Sequence, residues 1–187
     1  MKVIAGIAKG KPLKPVPGDT TRPILDRVKT ALFDTIRPHV DGSKWLDLFG
    51  GTGAVGIEAL SQGASDVVFV DVTKKAIDVI RDNLQSTGLR DKATIRHQDA
   101  FTYLKNTDKS FDIIFVAPPQ YKAMWLKALH AIAERPELVA DNGMILAQID
   151  PKEYEEVFLN DFEEIKQKKY GNTIIVFYRK KANLPLS

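Results

Sequence analysis

Trp45-Leu46-Asp47-Leu48-Phe49-Gly50-Gly51-Thr52-Gly53-Ala54-Val55-Gly56-Ile57-Glu58-Ala59-Leu60 passes from an apolar run through a glycine-rich turn into a helical pattern. These three parts predict a strand, a tight loop and a helix N-terminus. Gly51, Gly53 and Gly56 match G-x-G-x-x-G, with Gly50 just ahead of them. A second apolar run, Val67-Val68-Phe69-Val70, ends in Asp71. Two strand ends that each carry a carboxylate, one of them followed by glycines, form a pocket for a nucleotide-like cofactor at the edge of a parallel sheet.

Glycine spacing alone does not select the cofactor, and a dinucleotide would suit it. Three features point elsewhere. Asp47 lies just inside the first strand's end, where it would repel a pyrophosphate but not a ligand carrying positive charge. S-adenosylmethionine has both a sulfonium and an ammonium group. The chain of 187 residues leaves no room for a separate substrate domain. Finally, Val116-Ala117-Pro118-Pro119-Gln120-Tyr121 follows a later apolar run at the place expected for a substrate loop.

A hydrophobic content of 44% with 27% charged residues predicts one soluble globular domain with a core large enough to fold unaided. Absence of cysteine excludes disulfides and thiolate metal sites. His39, His97 and His130 have no metal-ligand spacing, so no metal is expected. No apolar run reaches the roughly 20 residues of a membrane helix, and the first residues do not resemble a secretion signal. A cytoplasmic monomer is therefore expected. The net charge of +3 is unevenly distributed: residues 1–37 carry +5, residues 166–181 carry +6, and the middle is acidic. Basic ends around an acidic centre suit a polyanionic partner, although lysines that merely solvate a surface would give the same count.

Along the chain, residues 2–15 read as a short hairpin or extended arm, and 17–23 as a loop. A helix follows over 24–36, with Leu25, Val28, Leu32 and Ile36 inward and Arg22, Asp26 and Lys29 facing elsewhere. Strands are then predicted at 44–48, 66–70, 93–96, 111–116 and 144–148. Helices are predicted at 53–61, 74–86, 100–104, 122–133 and 153–158. The helix at 122–133 would turn Met124, Leu126, Leu129 and Ile132 inward. A closing hairpin pairs 162–169 with 173–179. Alternating strands and helices predict an α/β fold with a mostly parallel seven-stranded sheet, helices on both faces and antiparallel strands at the end. The divisions expected are a basic arm and helix (1–40), a catalytic domain (41–181) and a frayed tail (182–187).

Parallel strands present their carboxyl ends along one edge. That edge gathers Asp47, Gly50, Gly51, Gly53, Asp71, Asp99, Ala100 and the segment from Ala117 to Tyr121. Glycine permits close backbone approach. Asp71 suits two ribose hydroxyls. Asp99 suits an adenine amino group, with the Ala100 N–H for a ring nitrogen. Either acid alone could equally be a helix cap. Lys9, Lys11, Lys14, Arg22, Arg27 and Lys29 are candidates for phosphate contacts. Trp125, one helical turn past Tyr121, is a lesser candidate for the substrate side.

With these residues in view, the chain resembles the class I S-adenosylmethionine-dependent methyltransferases. More narrowly, it resembles the RsmD family of bacterial 16S rRNA guanine-N2 methyltransferases. The likeness rests on Val3-Ile4-Ala5-Gly6 with Lys9-Gly10-Lys11, Thr21-Arg22-Pro23, Asp26-Arg27-Val28-Lys29, the glycine motif, Glu58-Ala59-Leu60-Ser61-Gln62-Gly63-Ala64 and Tyr170-Gly171-Asn172-Thr173. It spans roughly residues 1–180. The resemblance implies a Rossmann-like fold, S-adenosylmethionine as cofactor and 16S rRNA of the small ribosomal subunit as substrate.

One departure stands out. Enzymes that methylate exocyclic amines carry Asp or Asn, then Pro-Pro, then Tyr or Phe after the fourth strand. The acid or amide and the first proline's carbonyl accept hydrogen bonds from the amine, and the ring stacks on the base. Here Ala117 removes the first acceptor, and the aromatic Tyr121 stands one residue later, after Pro118, Pro119 and Gln120. Gln120 or a water is the expected substitute. The alternatives left open are an adenine-N6 methyltransferase and a weakly catalytic or noncatalytic rRNA-binding assembly factor.

Overall fold

A computed structural model describes residues 1–18, 23–120 and 123–182. Seven strands form one sheet: β1 (Lys44–Asp47), β2 (Asp66–Asp71), β3 (Ala93–His97), β4 (Phe111–Val116), β5 (Val139–Ile149), β6 (Phe162–Tyr170) and β7 (Thr173–Lys180). Their order is β3-β2-β1-β4-β5-β7-β6. Strands β1 to β5 are parallel, and β7 is antiparallel to both of its neighbours. The closing hairpin thus inserts one reversed strand, and β6 at the edge runs the same way as β5.

The five helices are α1 (Asp26–Ile36), α2 (Ala54–Ser61), α3 (Lys74–Thr87), α4 (Ala100–Asn106) and α5 (Met124–Ala133). Side chains alternate across the pleat, so the sheet has two cores. On one face Trp45, Phe69, Phe115 and Leu146 pack with α1, α2 and α3. On the other Leu46, Val70, Ile114 and Ile145 pack with α4 and α5. Among the described residues no helix is long and apolar enough to cross a membrane.

The N-terminal arm closes on itself through a Lys2–Pro12 bridge, with Val3 N–H on Lys11 O (2.9 Å) and Leu13 N–H on Met1 O (3.0 Å). Its Val3, Ala8 and Leu13 are buried in the same core as α1 and the sheet. The arm and α1 therefore share one core with the sheet. Of the expected tail, 183–187 lie outside the described residues.

Several elements differ from the sequence expectation. Leu25 is exposed, at the cap of α1. Lys29, expected to face outward, is buried completely, and its Nζ lies 3.0 Å from Glu58 Oε1. Helix α5 begins at Met124, because Ala123 takes a left-handed conformation with φ 52°. Its buried residues include Trp125 and Ala128, while Met124 and Leu126 are only half-buried. Trp125 stacks on Tyr154 at 6.4 Å, so it is a core ring and not a platform for a base. No helix forms over 153–158. A three-residue turn, Pro151–Glu153, is capped by Asp150, and Tyr154 is drawn away by its hydroxyl bond to Glu164 (2.8 Å).

Glu58 is the arm's anchor. Its carboxylate accepts from Ile4 N–H (2.9 Å), Ala5 N–H (3.1 Å) and Gln62 Nε2 (2.8 Å), besides pairing with Lys29. Lys29 also donates to Lys2 O (2.7 Å). Removing one partner of a buried ion pair strands the other charge, at a cost of about 3–5 kcal/mol. Lys29→Met is expected to lower the unfolding free energy by roughly that amount in urea titrations. A loss below about 1 kcal/mol would show that the arm is held without the pair.

Candidate active site

The glycine turn is fixed from both sides. Gly50 N–H donates to Val70 O (2.8 Å) and Gly53 N–H to Gly50 O (2.8 Å), so the loop folds back over the end of β2. Gly56 lies in the first turns of α2, against β2. A methyl added there would stand 2.3 Å from Phe69 Cε1, so only glycine lets α2 lie this close to the sheet. Gly51 differs: its φ is +56°, and an added Cβ would meet nothing within 4 Å. It is the point of the loop that faces open space.

Asp71, at the end of β2, joins this loop to α3. Its Oδ2 accepts from Gly51 N–H (3.0 Å). Its Oδ1 accepts from both Thr73 N–H (2.9 Å) and Thr73 Oγ1 (3.0 Å). Thr73 Oγ1 in turn caps α3 by accepting from Ala76 N–H (3.4 Å). One lone pair on Oδ2 remains for a ligand, and a grip on both hydroxyls of a diol requires Thr73 to release Oδ1.

Asp47 was expected to face the ligand. The structure instead buries it, 1% exposed, with Oδ2 accepting from Gly56 N–H (3.2 Å). It braces the first turn of α2 from beneath. Burial pushes its carboxyl up to about 7; the Gly56 N–H opposes that shift and the charge of Asp71 adds to it.

Asp99 is exposed and caps α4, with Oδ2 accepting from Thr102 N–H (2.9 Å) and Thr102 Oγ1 (3.2 Å). Its Oδ1 has no bond among the described residues. The N–H of Ala100 opens the helix, where backbone donors have no partner within it. His97 at the end of β3 contacts Val72 O (3.0 Å). Past β4, Ala117 and Pro118 are half-buried, while Pro119 and Gln120 are exposed. Tyr121 lies outside the described residues.

The structure thus brings Gly50, Gly51, Gly53, Asp71, Asp99, Ala100, Ala117, Pro118 and Pro119 to the carboxyl edge of β1–β4, with Asp47 beneath. This is an open edge. A cavity of about 340 Å³ lies at the opposite, amino edge, lined in part by His39, Asp41 and Asp112.

The basic set divides. Lys9, Lys11 and Arg27 are exposed. Lys11 Nζ donates to Ser86 O (3.3 Å), and Lys14 pairs with Asp82 (3.3 Å). Lys9 and Arg27 have no hydrogen bond or ion pair among the described residues. Arg22 lies outside those residues. Lys29 is a correction: sealed in the core against Glu58, it cannot reach a phosphate.

Two polar residues that the sequence did not single out hold the site together. Asn83 is fully buried. Its Oδ1 accepts from Lys14 N–H (2.8 Å), and its Nδ2 donates to Lys14 O (3.1 Å) and to Thr52 O in the glycine loop (2.9 Å). Glu58 is the other. A lone charge within Ile57-Glu58-Ala59-Leu60 was a usable signal, as was Lys29 at helical spacing from Phe33 and Ile36.

A sheet of this order, with β7 reversed, glycines after β1 and an acid ending β2, defines a Rossmann-like methyltransferase fold. Comparison with solved structures agrees. The Escherichia coli protein yhhF, provisionally assigned as a methyltransferase, superposes with a TM-score of 0.86 at 25% identity, covering 98% of this chain and 99% of that one. A Thermus thermophilus protein superposes with a TM-score of 0.78 at 27% identity, covering 95% and 98%.

A family model described as conserved hypothetical protein 95 matches residues 1–179. The Bacillus subtilis protein YlbH, named provisionally as an rRNA methyltransferase, is 38% identical over 185 residues, 97% of this chain and 100% of that one. Ribosomal RNA small subunit methyltransferase D of Haemophilus influenzae is 30% identical over 182 residues, 96% and 92% of the two chains. The chain belongs to this family, the RsmD family of the methyltransferase superfamily.

The raised pKa of Asp47 has a direct consequence. Between the unfolded value near 3.8 and the folded value of about 7, the native state holds the extra proton. This group's contribution therefore makes stability fall as pH rises across that window. Asp47→Asn is expected to flatten the fall in urea midpoint between about pH 4.5 and 7.5. An unchanged slope would show that Asp47 is ionised throughout.

Proposed function

We propose that this protein transfers a methyl group from S-adenosylmethionine to the exocyclic N2 of a guanine in the 16S rRNA of the small ribosomal subunit. It acts as a cytoplasmic monomer. What carries this reading is the Gly51–Asp71 loop beside Ala117 and Pro118, in a chain that matches Ribosomal RNA small subunit methyltransferase D of Haemophilus influenzae over 96% of its length.

The residues fit the cofactor. Open space over Gly51 admits a group that a side chain would block, and one lone pair of Asp71 Oδ2 accepts a ribose hydroxyl. Asp99 Oδ1 accepts an adenine amino proton, and the Ala100 N–H donates to a ring nitrogen. When bound, the cofactor supplies an electrophilic methyl group on a positively charged sulfur. The carboxylates Asp71 and Asp99 give the edge the sign that a cationic ligand needs.

On the acceptor side, the carbonyl of Pro118 accepts a hydrogen bond from the guanine amine and orients its lone pair. Holding the reactants in line supplies most of the rate such a site needs. The ring of Tyr121 stacks on the extruded base. Lys9, Lys11, Arg22 and Arg27 contact phosphates and set the RNA's position without reading its sequence.

Ala117 favours a second reading, a noncatalytic rRNA-binding assembly factor, because a hydrogen bond to a developing charge is worth about 1.5–3 kcal/mol, or roughly ten- to 150-fold in rate. Incubation with labelled S-adenosylmethionine and undermethylated small subunits, with nucleoside mass analysis, separates the two. N2-methylguanosine is the expected product. RNA binding without transfer would establish the second reading. In the same protein, Asp71→Ala is expected to weaken S-adenosylmethionine binding about ten- to 100-fold by calorimetry, and unchanged affinity would remove the cofactor from this loop.

A further inference from the structure

Buried polar atoms nearly always have hydrogen-bond partners, and an exception calls for an explanation. Among the described residues three buried side-chain atoms have none: Trp125 Nε1, Tyr178 Oη and Gln148 Oε1. Trp125 and Tyr178 belong to the core on the α4–α5 face. Gln148 differs in position. It is the penultimate residue of β5, at the carboxyl edge where the site lies.

Register places it beside Ala117. Phe115 pairs with Leu146, and Val116 with Ala147. The next step of that parallel ladder sets Ala117 against Gln148. Alternation puts both on one face: Phe115 and Leu146 are in the core of the α1–α3 face, and Ala117 packs against it. Val116, Ala147 and Ile149 belong to the opposite core. Neighbouring strands are about 4.8 Å apart. Glutamine is one methylene longer than asparagine, so from this register its side chain is long enough to span the gap to position 117.

We infer that Gln148 supplies the acceptor missing at position 117, its Oε1 taking a hydrogen bond from the amine that is methylated; this rests on the methyltransferase reading of the site. The unpaired buried carbonyl is then an acceptor held ready for substrate. Its desolvation is met on folding, and the bond forms only when the amine arrives. Gln120, the replacement expected from sequence, is exposed on the loop. An amide is not a base, so Gln148 orients the amine without taking its proton, which leaves to solvent.

The test is single-turnover methyl transfer to undermethylated small subunits. Gln148→Leu keeps the volume and loses the acceptor. Transfer is expected to fall about ten- to 100-fold, with S-adenosylmethionine affinity unchanged and thermal stability equal or higher, since an unpaired polar atom is removed. Gln148→Glu, which keeps an oxygen acceptor, is expected to stay within a few-fold of wild type. The double variant Gln148→Leu with Ala117→Asn should recover most of the loss, a rescue that a purely structural role would not give. Undiminished transfer by Gln148→Leu, or failure of Ala117→Asn to rescue it, overturns this inference alone. Absence of transfer by the wild-type protein overturns the methyltransferase reading and the inference with it.

Discussion

The buried ion pair of Lys29 and Glu58 is the interaction on which the remaining architecture leans. Both side chains are completely out of water, and Glu58 also receives two backbone N–H groups of the arm. One carboxylate thereby ties together three pieces of chain: the arm, α1 and α2. The attraction within such a pair does little more than offset the desolvation of its two charges. What it contributes is position, because the arm's Ile4 and Ala5 N–H groups and Lys2 carbonyl complete the hydrogen bonding of the two charges. Asn83 repeats the device with neutral groups, binding the arm at Lys14 and the glycine loop at Thr52.

The ligand edge inherits its shape from these anchors. Helix α2 is held against the arm at its far end and against β2 by the Gly56–Phe69 contact. Its first turn is braced by Asp47. The loop before it therefore has little freedom, and Gly51 is presented to Asp71 at a fixed distance. The arm's turn sits at the C-terminal end of α2, where Ile7 N–H and Ala8 N–H bind Ser61. An eight-residue helix is about 12 Å long, so the arm's turn at Ile7 and Ala8 stands roughly that far from the first residue of α2.

Local pattern made much of this legible. Glycine spacing followed by an acid at the next strand end put Gly51 and Asp71 at one edge of the sheet, though not the bond between them, and β4 was bounded correctly because its apolar run is abrupt. The parallel sheet and both of its covered faces followed from alternation of elements. What sequence did not give was the direction of isolated polar side chains. Lys29 fell off the stripe defined by Val28 and Leu32, yet its partner was another lone charge in another helix. In α5 Leu129 and Ile132 face inward as expected, but Trp125 and Ala128 are buried where Met124 and Leu126 were expected. The span 153–158 has helical composition, but Tyr154 is claimed by Trp125 and Glu164, and tertiary contacts override propensity.

The arm's clamps also fix when it can fold. Ile4 binds a residue 54 positions later, and Lys14 one 69 positions later. Emerging at about 5–20 residues per second, the chain needs roughly 3–14 s after Lys14 before Asn83 exists to receive it. Strand β1 is completed after that, since Ile113 of β4, which lies opposite Trp45, follows Asn83 in the chain. The arm thus waits for residues made well after it, and until then its basic residues and its apolar Val3, Ala8 and Leu13 stay exposed together. Closure of the arm is deferred until α2 and α3 have a surface to offer it.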